Sequence, residues 1–289
     1  MSSEEPSGHP WSGMDTARDP DDDGVGESRP GPGPLDPAAP ESQGPPTGED
    51  ETPAPTLHQR LAAAGEVVLC SGFPTQLTLV VLLGMFGAGP TDGSGDLSLA
   101  YVVTLSLVDA ALILALVWML MRAHGEHPVA VMVGRRPIRS ELLLGLALVP
   151  AALLVVAAAF AVLSRVAPEL RNVPENPLEA LITTPAAAVT FAAVAMVAGG
   201  LREEVQRAFI LRRFEQHLGG AAVGLVVFSV AFGLGHLVQG RDAAIITGLL
   251  GALWGVLYLV RRSMVAPFAC HAGFNATEVL IAYVGGGGG

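Results

Sequence analysis

From residue 67 onward the chain alternates long apolar runs with short polar breaks. The runs cover roughly 67–88, 97–121, 141–163, 178–200, 218–238, 243–260 and 264–284, each near the ~20 residues a helix needs to cross a bilayer. None alternates with a period of two, and backbone groups in hydrocarbon must be paired internally, so helices are expected rather than a barrel. The pattern predicts an all-α polytopic membrane protein, with about seven transmembrane helices in a bundle around a polar intramembrane cavity. The first run is the most irregular, because "CSGFPTQLT" puts Pro74 and Gln76 inside it. Gly251 and Gly255 in "GALWG" would let two helices approach closely. No internal repeat is visible, and no inverted pair of broken spans of the kind found in secondary transporters.

Composition agrees with this picture, since 51% of the 289 residues are hydrophobic. Charge divides the chain further. Residues 1–56 hold 13 acidic and 2 basic residues, which accounts for the whole net charge of −11, and the remainder is balanced. That first segment, rich in Pro, Gly, Ser and acid, lacks the apolar surface to offset chain entropy, so a disordered acidic tail is expected there. It carries no basic-then-apolar leader of the secretory type. The organisation read from the sequence is a tail over 1–56, N-terminal membrane helices over 57–177, a C-terminal membrane core over 178–284 and a Gly tail over 285–289. Cys70 and Cys270 are too few for a disulfide framework and are expected to be buried or lipid-facing thiols.

Every basic residue is an arginine, which points to nucleotide-composition bias in a bacterial chain rather than to nucleic-acid binding. Sorting them by loop places Arg60, Arg122, Arg135, Arg136, Arg139, Arg202, Arg207, Arg212, Arg213, Arg261 and Arg262 on one side and Arg165, Arg171 and Arg241 on the other. By the positive-inside rule the N-terminus is then cytoplasmic and the location is the cytoplasmic membrane of a bacterium.

Ionisable groups inside apolar spans are costly and mark sites. Here they are Asp109, a cluster over 202–207, His236, His271, Asn275 and Glu278. In "REEVQR" both Glu203 (i,i+4) and Glu204 (i,i+3) can reach Arg207, leaving the other carboxylate free. The bland alternative is a juxtamembrane collar with Arg212 and Arg213 on anionic lipid. In "FGLGH" Phe232 lies one turn before His236; the bland alternative is a structural histidine. In "HAGFN" His271 and Asn275 project together, as an interhelical hydrogen-bonded pair also would. Taken together, a carboxylate, two imidazoles and an amide are the groups that activate a water and stabilise an oxyanion.

The ordered set Glu-Glu…Arg, Phe-x-x-x-His, His-x-x-x-Asn over about 178–284 resembles the CAAX-protease and bacteriocin-processing (CPBP, Abi) family of intramembrane endopeptidases. The second and third motifs match in full. The first has two residues between the Glu pair and the Arg, where the family usually has three. Either Arg207 keeps register, with Glu203 in the second glutamate's place, or the Glu pair keeps register and the helix absorbs the deletion by a local change in winding. The resemblance implies that Glu203 or Glu204, with His236, deprotonates a water and that His271 and Asn275 stabilise the oxyanion. The other glutamate would pair with Arg207, and Phe232 supports the second motif. It leaves two chemistries open: zinc or another divalent metal held by His236 and His271, or a Glu/His-activated water without metal. No HExxH is present. The partners implied are a peptide or membrane-protein substrate and the lipid bilayer. A silent membrane scaffold or immunity protein, or a small-solute transporter using Asp109 as a relay, are the alternatives from other classes.

Overall fold

A computed structural model of the chain describes residues 54–174 and 176–286. The expected tail therefore lies outside the described residues, except for its last three positions. Among the described residues the fold is helical, with no strand beyond one isolated bridge between Thr91 and Leu97.

Helix α1 (Leu57–Leu69) starts ten residues before the first expected span, on a capping box in which the Thr56 side chain accepts from the Gln59 backbone and the Gln59 side chain reaches back. It is followed by α2 (Phe73–Met85), bent from it by 43° at left-handed Gly72. This is the break that "CSGFPTQLT" announces. Next come α3 (Leu99–Ala123), a single turn and a half, α4 (Pro128–Val133), and α5 (Ile138–Val166).

The helix expected over 178–200 is displaced and extended. Thr184 caps it and Pro185 occupies its first turn, so it begins at α6 (Pro185–Val194). It does not stop at Gly200. It continues through a π-wound segment (Ala195–Arg202) into α7 (Glu203–His217), one continuous helix of 33 residues, about 50 Å long. A charged stretch reads as a helix exit only while its charges are taken to be solvated; here they are paired inside the bundle.

The chain closes with α8 (Ala221–Leu234), α9 (Arg241–Arg261) and α10 (Val265–Gly286). His236 thus sits just past the end of α8 rather than within a span. Among the described residues four helices are long and apolar enough to cross a membrane, or five if α1 and α2 form one broken span. Helix α8, at 14 residues, is an additional apolar helix. The seven spans expected from hydropathy exceed what helix length and composition support on their own.

Helix α7 runs through the centre of the bundle. Its Phe209, Leu211 and Ala208 are buried with Ile113, Val117 and Met121 of α3. The glycines of "GALWG" face α8 as expected: a Cβ on Gly251 would lie 2.9 Å from the Phe232 ring, and Leu225 stands against Gly255. The tightest approach is between α5 and α10. There a Cβ on Gly145 would lie 2.6 Å from the Ala269 Cβ and 3.0 Å from the Cys270 backbone nitrogen. Gly145→Val is accordingly expected to destabilise the bundle by about 1–3 kcal/mol through overpacking. Gly65→Ala, where nothing lies within 4 Å, should leave the detergent unfolding temperature unchanged or slightly raised. Equal unfolding temperatures for the two variants would contradict the packing described.

Several of the arginines expected on one side gather at one end, whereas Arg202 and Arg207, sorted with them, are buried in the interior. At that end Arg213 pairs with Glu66 (2.6 Å) and Glu126 (3.0 Å), Arg212 with Glu126 (2.5 Å), and Arg262 with Glu215 (2.8 Å). Arg261 pairs with buried Glu141. Arg213, only 2% exposed, therefore belongs to an internal network, which corrects the reading of the Arg212 and Arg213 pair as a lipid collar. Burial pushes the Glu126 carboxyl up, but the Arg212 hydrogen bond and the Arg213 charge outweigh it and hold it below its ordinary value. Both cysteines are free and buried.

Candidate active site

The π-wound segment and α10 build the site between them. Gly199 and Gly200 carry no side chain, so α10 lies against the helix there. A Cβ on Gly200 would be 3.0 Å from the Ala272 Cβ, and one on Gly199 would be 2.5 Å from Asn275 Nδ2. Asn275 Nδ2 donates to the Ala195 carbonyl at 3.0 Å, across the segment of widened winding. The change in winding allowed for by the short Glu-to-Arg spacing is present, but it falls before Glu203 rather than between Glu204 and Arg207. Isolated π turns of this kind recur at functional sites.

Past this point the winding is α-helical, and the two glutamates take different surroundings. Glu204 is 1% exposed and accepts from Arg207, its i+3 neighbour. Arg207 is fully buried, and its guanidinium lies over the rings of Phe228, Phe232 and Trp254 at 4.9, 5.2 and 5.6 Å, a stacked cation site. The same Glu204 oxygen accepts from His271 Nδ1 at 2.8 Å. An ionised carboxylate held by an arginine has no proton to give, so the hydrogen is on Nδ1 and Nε2 is turned elsewhere. Nε2 lies 3.8 Å from Glu203 Oε2, beyond a direct hydrogen bond.

Glu203 lines a cavity of about 560 Å³ together with His236, His271 and Asn275. Phe232 stands between the imidazoles, its ring centroid 5.0 Å from that of His236 and 6.2 Å from that of His271. His236 Nδ1 donates to the Phe232 carbonyl at 2.8 Å, which orients the ring just beyond the helix end. Four of the five predicted side chains thus line one cavity. The fifth, Glu204, lies behind it and is bonded to His271.

Each imidazole has one nitrogen committed, to a carbonyl or to a carboxylate, in the manner of metal-ligating histidines. Even so, among the described residues no three His, Cys, Asp or Glu side chains are grouped closely enough to hold a metal ion.

Some participants escaped the sequence reading. Trp254 is 1% exposed and stacks on His271 with centroids 3.7 Å apart. Its signal was the spacing of Gly251, Trp254 and Tyr258 along one face of α9. Arg202, 6% exposed, bonds Asp109 at 2.6 Å and lies 3.8 Å from Glu203. Asp109 in turn accepts from Thr75 (2.5 Å) and Gln76 (3.3 Å). Gln206 donates to the Cys70 carbonyl at 2.6 Å, beside the bend between α1 and α2. The cavity's inner wall is therefore charged, while its sides include apolar residues such as Val102, Leu105, Phe191 and Val279.

No curated protein and no solved structure matches the chain. The resemblance drawn from the three motifs is met by a family model: residues 184–277, which hold Glu203, Glu204, Arg207, His236, His271 and Asn275, match the type II CAAX prenyl endopeptidase Rce1-like family.

Proposed function

We propose that the chain is an intramembrane endopeptidase of the CAAX-protease type, with Glu203 as the base that activates water. The observation that carries this assignment is the asymmetry of the glutamate pair. Glu204 is sealed by Arg207 and His271, whereas Glu203 faces the cavity and the open nitrogen of His271. The apolar helices and the family match make the chain an integral membrane protein, and a peptide within the membrane is the matching substrate class. The arginine sorting supports a cytoplasmic N-terminus.

In the proposed reaction a water between Glu203 and His236 loses its proton to the Glu203 carboxylate as its oxygen attacks the peptide carbonyl. The carbonyl π electrons move onto oxygen. The N–H of Asn275 not used on Ala195 donates to that oxygen and stabilises its negative charge, with the His271 ring beside it. Collapse of the tetrahedral species breaks the C–N bond, and Glu203 returns its proton to the leaving amine. Glu204 keeps the His271 ring in the tautomer and orientation required, as the carboxylate behind a catalytic histidine does elsewhere. Arg202, neutralised by Asp109, stands beside Glu203.

The donor arrangement supports a route through these side chains without a metal. Purified protein in detergent, stripped of divalent ions by a chelator and checked by elemental analysis, is expected to keep cleaving a membrane-anchored reporter peptide. Loss of cleavage restored by one equivalent of zinc would instead place a metal on His236 and His271. The transporter alternative is weakened because Asp109, its main relay group, is held by Arg202, Thr75 and Gln76. If a chain with Glu203 replaced keeps its biological role in cells, the scaffold alternative is correct.

A further inference from the structure

The sequence contains three Arg-Arg pairs, 135–136, 212–213 and 261–262, and the endopeptidase chemistry uses none of them. They lie on three elements far apart in the chain: the turn between α4 and α5, the middle of α7, and the turn between α9 and α10. The fold nevertheless brings all three to one end. There Arg135, Arg136, Arg212, Arg261 and Arg262 line a second cavity, of about 450 Å³, separate from the one holding Glu203.

The two turns are locked together. Met264 N donates to the Met132 carbonyl at 2.8 Å, and Arg136 Nε donates to the Arg261 carbonyl at 3.0 Å. Gly134 has a φ of +72°, and the Arg262 carbonyl fills the space where a side chain would begin. Arg262 itself is in the left-handed region, φ 51° and ψ 39°; among the described residues it is the one non-glycine with positive φ. Such a conformation costs free energy in an arginine and persists where the surroundings impose it. Here it ends α9 and turns the backbone toward the cavity.

The charges in this cavity are not balanced. Arg212, Arg261 and Arg262 have the carboxylates Glu126, Glu141 and Glu215. Arg135 and Arg136 are exposed, and among the described residues neither is paired with a carboxylate. Arg262 commits one terminal nitrogen to Glu215, and Arg136 commits only Nε. The remaining guanidinium N–H groups are suited to an oxyanion that accepts at more than one oxygen. Tyr258 adds a phenol to the lining. The cavity also lies at the ends of two candidate spans, where α5 begins and α9 ends, and exposed Val129 of α4, Ile138 of α5 and Val260 of α9 flank it.

We propose that this cavity binds a phosphate group, and specifically the headgroup phosphodiester of an anionic phospholipid in the adjoining leaflet. Arg135 and Arg136 supply the uncompensated charge, and Arg262 supplies further N–H donors. General attraction of basic loops to an anionic surface involves every exposed arginine at that end alike. The interlocked turns make the proposal specific, because they place donors from two distant loops in one concave site.

The test uses the full chain in detergent, titrated with phosphatidylglycerol or phosphatidylcholine and read by native mass spectrometry. Wild type is expected to retain phosphatidylglycerol with about tenfold preference. Arg135→Gln with Arg136→Gln should remove that preference with at most a small drop in unfolding temperature, since neither side chain has a carboxylate partner and the one bond lost is that of Arg136 Nε to the Arg261 carbonyl. Arg122→Gln with Arg139→Gln, the same charge change on the same side outside the cavity, should leave it. Equal loss in both double variants would overturn the site in favour of a diffuse surface effect. Glycerol 1-phosphate and inorganic phosphate form the second arm. Competition by either only at concentrations far above that of the lipid is expected, and displacement at equal concentration would overturn the lipid assignment in favour of a soluble phosphate.

Discussion

Replacing Glu203 by glutamine is expected to lower the rate of peptide cleavage by about 10²–10⁴, the contribution typical of a positioned general base, while the unfolding temperature in detergent stays within error of wild type. The substitution preserves size and removes the negative charge together with the capacity to take a proton. Among the described residues the Glu203 side chain has no hydrogen-bonded partner whose loss would strain the bundle; its charged neighbours Arg202 and His271 are each 3.8 Å away. The loss should fall on kcat, because the proton is transferred in the transition state and the substrate is held by the cavity walls. Steady-state kinetics on a reporter peptide, beside a melting curve, separates the two effects. A Glu203→Gln enzyme with wild-type kcat would remove Glu203 from the mechanism and leave Glu204 as the remaining carboxylate of the pair.

The second large effect is on folding. Glu204→Gln leaves the Arg207 guanidinium fully buried with its charge uncompensated, and breaking one side of a buried pair costs about 3–5 kcal/mol. The aromatic faces of Phe228, Phe232 and Trp254 offset part of that cost. Denaturant or thermal unfolding in detergent should therefore show a marked loss for Glu204→Gln and for Arg207→Leu alone. The double variant should recover part of it, since neither charge is then stranded. Additive losses would mean that the two side chains do not form the pair described. The contrast between neighbours is the point: one glutamate is expected to affect rate without stability, and the next affects stability first.

That contrast was only half legible in the sequence. The motif spacing brought Arg207 within reach of both carboxylates, but it could not choose between them. The choice depends on His271, 67 residues further on, bonding one of the two. The helical bundle and the close approach at Gly251 and Gly255 followed from apolar run length and residue type, which are local properties. What the sequence hid was long-range compensation. The run of charges after Gly200 looked like an exit from the membrane because its partners lie elsewhere in the chain: Asp109 for Arg202, and Glu66 and Glu126 for Arg213. His236 was expected inside a span, yet the helix ends two residues earlier and the ring is oriented by the Phe232 carbonyl instead.

The contact between Asp109 and Arg202 also bears on what can be inherited or transplanted as a unit. The stretch matching the Rce1-like family begins at residue 184, yet the carboxylate that neutralises Arg202 comes from α3, held there by two side chains of α2. Cut out at the family boundary, the core would lose the carboxylate bonded to Arg202 and keep Glu203, 3.8 Å away, beside it. The smallest portable form of this active site is therefore longer than its recognisable signature. Recombination that exchanged the N-terminal helices between relatives would have to carry the acidic residue of α3 with them.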